Sequence, residues 1–120
     1  MIRNLLLVSA GGALGSIARY AVSMLFAHFA ISGHWATLLV NVVGSFLIGL
    51  AIPLVSGGAH LFAVLGFCGG FTTFSTFSSQ AVQLFQAGER VTAAVYIVAS
   101  LVISIAMVLL GMYVAGRFAK

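Results

Sequence analysis

Charge is scarce in this sequence, and acidic charge above all. Only 5% of its 120 residues are charged, and Glu89 is the single acid among them. Soluble domains carry charge on about a quarter of their residues, so a water-exposed fold of this composition would present large apolar patches and aggregate. The composition therefore predicts a protein whose natural solvent is lipid.

Cysteine is nearly absent as well. Cys68 is the only one, which excludes an internal disulfide, and no cysteine–histidine cluster indicates a metal site. The histidines His28, His34 and His60 fall near predicted helix ends and are interpreted as interfacial polar residues. The net charge of +4 comes from scattered cations that form no stripe for a phosphate backbone, so no nucleic-acid partner is expected.

Apolar residues are abundant, at 62% of the chain. A spanning helix needs about 20 mostly apolar residues, and four segments reach this length. They cover residues 5–29, 35–55, 60–85 and 91–114. The predicted fold is an all-α membrane protein, a single domain of four transmembrane helices. The N-terminal run resembles a cleavable signal, but its apolar character continues to Phe29, so we expect it to remain as the first span.

Four spans place both termini on one side of the membrane. That side carries Arg3, Arg117 and Lys120, and the other carries Arg90 and, less clearly, Arg19. The positive-inside rule therefore favours cytoplasmic termini only weakly. A near-balanced count of this kind permits insertion in both orientations.

Pairs of small residues spaced four apart let helix backbones approach closely. Such pairs include Gly11 with Gly15, Ser45 with Gly49, and Gly66 with Gly70. They serve equally well within one subunit or between two copies. Because four helices of this size leave no lumen among them, a conducted path is expected where two copies meet.

The most unusual stretch lies in the third segment, from Gly66 to Gln80. Gly69 and Gly70 weaken a helix, and the Thr and Ser residues that follow compete for backbone hydrogen bonds. The sequence predicts a third helix that is broken at mid-membrane, where irregular backbone must be buried in protein or line a cavity. Carbonyls before such a break suit a hard cation such as Na⁺, and N–H groups after it favour an anion.

Aromatic and polar side chains around this stretch are candidates for an anion pathway. The phenylalanines recur every three residues and either pack in lipid or turn their positive ring edges to an anion. The fourth-segment hydroxyls, spaced four apart on one helix face, either line a path or bond back to their own helix. An amide in the second segment offers two further donors. These residues are Phe71, Phe74, Phe77, Tyr96, Ser100, Ser104 and Asn41.

Acidic residues are missing from the spans, which disfavours proton-coupled transport and favours passive conduction. Donors without acids favour an anion as the conducted species. There is no embedded nucleophile–base set and no phosphate-binding loop, so the chain is not expected to be an enzyme.

Three motifs carry a family resemblance: residues 11–20 (GGALGSIARY), 35–46 (WATLLVNVVGSF) and 66–77 (GFCGGFTTFSTF). On these motifs the sequence resembles the Fluc (CrcB) fluoride channels over nearly its whole length. The resemblance implies an antiparallel, dual-topology homodimer with fluoride pores at the interface. It further implies passive export of fluoride, which lowers fluoride toxicity, across the plasma (inner) membrane of a bacterium or archaeon.

The resemblance also assigns roles to individual residues. A structural Na⁺ at the dimer centre, which is not transported, would be held by the backbone carbonyls of Gly69 and Thr72. Arg19 matches the family's first-helix arginine, which would draw anions toward the vestibule by its charge; the alternative is an arginine that snorkels to the interface. The ion pathway would comprise Asn41, Phe74, Ser75, Thr76, Phe77, Tyr96, Ser100 and Ser104. Gln80 stands where many members have Glu, and it is given no more than a lining role.

Two other functions remain open from the sequence. A small dual-topology exporter of cationic drugs also has four spans, but it would need an acid in the first helix, where this chain has only Arg19. A non-transporting membrane assembly protein would require neither a polar break nor an aligned hydroxyl stripe.

Overall fold

The computed structural model describes residues 1–118, which form helices joined by short turns, with no strand among them. Four helices in this part of the chain are long and apolar enough to cross a membrane. Their bounds are Ile2–His28, Gly33–Leu54, Gly57–Gln86 and Arg90–Phe118. The all-helical class and the four candidate spans agree with the prediction. Lys120, counted above on the side of the termini, lies outside the described residues.

The observed helices extend beyond most of the predicted apolar segments. Helix α1 (Ile2–His28) begins before residue 5, and the last helix continues to Phe118 rather than ending at residue 114. Hydropathy marks the stretch that contacts lipid, whereas a helix propagates through flanking polar residues because each further residue adds a hydrogen bond. Helix α2 (Gly33–Leu54) also starts earlier, before Trp35.

The third span is assembled from several helical pieces. They are α3 (Gly57–His60), a π-helix (Leu61–Cys68), α4 (Gly69–Phe71) and α5 (Phe74–Gln86). The fourth span is a single helix, α6 (Arg90–Phe118). Between α4 and α5, Thr72 and Thr73 have extended backbones, with ψ angles of 161° and 124°. Both are β-branched and carry a hydroxyl that can replace a helical backbone partner, which favours leaving the helix here.

Helix α1 packs against the π-helix through glycines on both sides. A Cβ on Gly11 would overlap the carbonyl oxygen of Phe62, and one on Gly15 would overlap that of Phe67. Across the contact, a Cβ on Gly66 would lie 2.9 Å from Gly11 Cα. These small residues therefore bring two helix backbones into contact within the chain.

Helices α2 and α6 form the second close pair. A Cβ on Gly49 would overlap the carbonyl of Val108, and one on Gly111 would overlap that of Phe46. A buried core cluster includes two aromatic side chains, Phe77 of α5 and Tyr96 of α6. Outside these contacts, most large apolar side chains of α1 and α6 point outwards and are exposed, as expected of surfaces that contact acyl chains.

Candidate functional site

The Thr72–Thr73 segment is held by one side chain of a neighbouring helix. Asn41 of α2 accepts a hydrogen bond from Thr73 N–H at 2.8 Å and donates from Nδ2 to the Thr73 carbonyl at 3.0 Å. The Asn41 carboxamide thus bonds both the N–H and the C=O of Thr73, as the backbone of a neighbouring strand would. Nδ2 carries two hydrogens, so one N–H of Asn41 is not used by this pairing.

The two threonines also satisfy the helix ends beside them. Thr72 Oγ1 donates to the carbonyl of Cys68 at 2.9 Å, and Thr73 Oγ1 accepts from Thr76 N–H at 3.3 Å. Thr73 is therefore the N-cap of α5. The N-terminus of α5, with its partial positive charge, begins at Phe74 beside this segment.

A groove of about 520 Å³ runs past the segment and is open to the outside of the chain. Its walls are mostly apolar, and its polar atoms come from a few amide, hydroxyl and backbone groups. Three spans line it. From α2 come Asn41, Gly44, Ser45 and Ile48; from the third span Val64, Leu65, Cys68, Gly69, Thr72, Thr73, Phe74 and Phe77; and from α6 Ser100, Leu101, Ser104 and Ile105.

This groove brings together residues that the sequence could place only on separate segments. Its lining includes five of the eight residues assigned to the pathway, namely Asn41, Phe74, Phe77, Ser100 and Ser104. It does not include the other three. Ser75 is exposed beside Phe74, Thr76 is half-buried on α5, and Tyr96 is buried in the core.

The two groove phenylalanines differ sharply in exposure. Their ring centroids are 5.7 Å apart at an angle of 47°. Phe74 is 75% exposed, whereas Phe77 is 7% exposed and its ring lies 5.2 Å from that of Tyr96. Phe77 therefore belongs both to the groove wall and to the core, while Phe74 projects from the surface of the chain.

Tyr96 is tied to Gln80 instead of facing the groove. Its side chain is fully buried, and its hydroxyl donates to Gln80 Oε1 at 2.9 Å. The regular spacing of Tyr96, Ser100 and Ser104 correctly places them on one helix face, but only the two serines reach the groove. Gln80 is absent from the groove lining, and the sequence alone did not indicate its bond to Tyr96.

Ser100 is the groove residue with the clearest unmet hydrogen-bonding capacity. Its Oγ is buried, and no group among the described residues is its partner. A buried hydroxyl without a partner is costly, since burial removes the water that would otherwise bind it. A hydroxyl in this position can donate to a ligand that enters the groove.

Arg19 lies on the α1 side of the Thr72–Thr73 segment. Its Nε donates to the carbonyl of Gly70 at 3.0 Å, across 51 positions of sequence. The side chain is partly buried between α1 and α4, and it is not among the residues that line the groove.

Backbone carbonyls are the ligands that this segment can offer to a cation. In residues 1–118 no group of three His, Cys, Asp or Glu side chains could hold a metal ion. The N–H of Thr73, which would be the regular helical partner of the Gly69 carbonyl, is taken by Asn41. The Thr72 carbonyl accepts no hydrogen bond in the turns, loops and side-chain contacts of the described residues. Both are carbonyl oxygens of the kind that coordinates Na⁺, and they fit the structural ion that the family resemblance implied.

Thr73, Gly44 and Cys68 line the groove, but none of them was assigned a role in the site from the sequence. Thr73 anchors the segment, Gly44 leaves the space into which the Thr72 methyl group packs, and Cys68 contributes a buried thiol to the wall. Of these three, only Thr73 could have been found from the sequence, because Thr is a common N-cap and the Thr-Thr pair directly precedes an amphipathic helix.

Comparison with known proteins places this architecture in a family. The family model described as CrcB-like protein, Camphor Resistance (CrcB), matches residues 6–112. The chain belongs to the CrcB family. A fluoride-specific ion channel FluC of Agrobacterium fabrum is 49% identical over 116 residues, which cover 91% of this chain and 93% of that protein. A protein of the same name from Methylobacterium radiotolerans is 44% identical over 121 residues, covering 94% and 85%.

These matches confirm the resemblance drawn from the three motifs. The CrcB match contains every residue discussed above as part of the site, from Arg19 to Ser104. With four candidate spans, this CrcB protein is a multi-pass membrane protein.

Proposed function

We propose that this chain is a subunit of a fluoride-specific channel that exports fluoride passively from the cytoplasm and so lowers its toxicity. Membership of the CrcB family and the names of its relatives support the assignment. The observation that carries it is the groove itself, where Asn41, Ser100 and Ser104 offer donors between mostly apolar walls that include two phenylalanine rings. The spans contain no carboxylate that would repel an anion or relay protons.

Fluoride is small and strongly hydrated, so a pore must replace its water with donors and still release it. The spare N–H of Asn41 and the unpartnered hydroxyl of Ser100 are donors of moderate strength. The positive edges of Phe74 and Phe77 add weak contacts, and the walls exclude water from the path. Chloride is larger, and a narrow passage between rings would exclude it.

The conducting form is a dimer of two oppositely oriented copies. One chain supplies only a groove that is open along its side, so a second copy is needed to close it into a pore. The near balance of Lys and Arg between the two sides permits both orientations in one membrane. The exposed Phe74 ring is then a natural contact with the second copy.

The Thr72–Thr73 segment is the break of the third helix at mid-membrane, where the two copies meet. The carbonyls of Gly69 and Thr72 would hold a structural Na⁺ there, which supplies positive charge beside the path without moving through it. Asn41 and Arg19 fix the backbone around those carbonyls. We place the channel in the plasma membrane of a bacterium or archaeon.

Efflux from proteoliposomes tests this function directly. Purified protein is reconstituted into vesicles loaded with fluoride, and release is followed with a fluoride electrode after a potassium ionophore is added. We expect rapid fluoride release and no comparable chloride release. Absence of fluoride release together with uptake of a cationic dye would support the drug exporter, and absence of both would support an assembly protein.

A further inference from the structure

The carbonyl of Gly70 has lost its regular helical partner. In a continuous helix it would accept from the N–H of Phe74, four residues on. Thr72 and Thr73 are extended instead, and each extended residue advances the chain about 3.3 Å, which carries Phe74 away from Gly70. A partly buried carbonyl in this position needs another donor.

Arg19 supplies that donor. Its Nε lies 3.0 Å from the Gly70 oxygen, a normal hydrogen-bonding distance. The close packing of α1 on α4 fixes the distance, because a Cβ on Gly70 would lie 3.1 Å from Gly12 Cα. One turn before Arg19, Gly15 packs equally closely on Phe67 and Phe71.

We propose that Arg19 acts as a positioning residue, whose Nε–H replaces the lost helical donor and so orients the Gly69–Gly70 backbone beside the Na⁺ site. This inference rests on the proposed function, since it takes the Gly69 carbonyl as a Na⁺ ligand. The family resemblance instead implies that Arg19 attracts anions by its charge. In that case the positive charge would matter and the Nε–H donor would not.

Three substitutions separate the donor from the charge. In Arg19→Gln, the amide nitrogen stands the same number of bonds from Cα as Arg Nε, so the donor stays and the charge goes. Arg19→Lys keeps the charge but places a methylene at the Nε position. Arg19→Met has neither. Arg117→Gln removes an exposed arginine from the last turn of α6 and is the control for loss of charge elsewhere.

The experiment measures fluoride efflux and its dependence on Na⁺ concentration. We expect Gln to resemble the wild type, and Lys and Met to need on the order of tenfold more Na⁺ for half-maximal efflux, the factor that loss of such a hydrogen bond produces. The Arg117→Gln control should match the wild type. A Lys variant that matches the wild type while Gln and Met fail would overturn the proposal in favour of the charge. Equal behaviour of all three variants, with or without loss of efflux, would overturn it as well.

Thermal unfolding in detergent, with and without Na⁺, provides a second readout. The proposal expects Na⁺ to raise the melting temperature of the wild type and Gln variant more than that of the Lys and Met variants. If the wild type releases no fluoride, the proposed function fails. The comparison of how far Na⁺ raises the melting temperature of each variant still decides the role of Arg19. The same shift in all four proteins would contradict that role.

Discussion

Asn41 and Thr73 exchange two hydrogen bonds, so that a side chain of α2 replaces the backbone partners that Thr73 lacks outside a helix. This pairing joins the Thr72–Thr73 segment to α2 at the groove wall. Asn41 therefore has a structural role, holding the Thr73 backbone, in addition to any contact with an ion. Substitutions of Asn41 can separate its effect on stability from its effect on fluoride efflux.

Asn41→Ala is expected to destabilise the protein by about 2 kcal/mol, because it leaves the partly buried N–H and C=O of Thr73 without partners. Asn41→Asp keeps an acceptor for the Thr73 N–H but turns a carboxylate towards the Thr73 carbonyl and towards the path. Because the negative charge repels an anion, fluoride efflux should be lost in this variant. Asn4→Ala, on the exposed start of α1, is the matched control. Melting in detergent and efflux are measured together, and an Ala variant as stable as the control would refute the structural role.

Glycine at position 15 is expected to be indispensable for the packing of α1. A Cβ there would overlap the Phe67 carbonyl and lie 2.8 Å from Phe71 N, and both are backbone atoms that cannot turn aside. Gly15→Ala should therefore lower stability by about 1–3 kcal/mol. Gly116→Ala has no atom near its Cβ and should be neutral or slightly stabilising, by up to about 1 kcal/mol. Equal melting temperatures for the two variants would contradict the packing.

The number and type of spans could be predicted because hydropathy and length are local properties of the sequence. The shared face of Ser100 and Ser104 follows in the same way from helical spacing. The bonds from Asn41 to Thr73 and from Arg19 to Gly70 could not, because they join residues 32 and 51 positions apart. The placing of Tyr96 also depends on a tertiary contact, since its hydroxyl reaches Gln80 on another helix.

Phe74 offers a cleaner test of the pathway than Phe77. Its ring is 75% exposed in the single chain, so Phe74→Ile should leave subunit stability nearly unchanged. We nevertheless expect fluoride efflux to fall by about tenfold or more, because loss of an aromatic contact worth about 1.4 kcal/mol corresponds to that factor. Phe85→Ile, which is exposed further along α5, is the matched control. Unchanged efflux in Phe74→Ile would remove the ring edges from the mechanism.

Cys68 allows the groove to be probed chemically, since it is the only cysteine of the chain and its thiol lies in the groove wall. Methylmercury is small and thiophilic, and it replaces the thiol proton to form a sulfur–mercury bond. If ions pass through this groove, methylmercury should block efflux in the wild type, because the bound group fills part of the space beside Gly69 and Thr72.

Two variants make this test specific. Cys68→Ala should conduct and resist the reagent. Adding Val98→Cys to it places a thiol on the outward face of α6, away from the groove, and this protein should be labelled without loss of efflux. Mass measurement of the labelled protein verifies that reaction occurred in each case. Full labelling of Cys68 with undiminished efflux would show that the conducted path lies elsewhere, whereas block of the Val98→Cys protein would show that labelling acts through the fold and not through the groove.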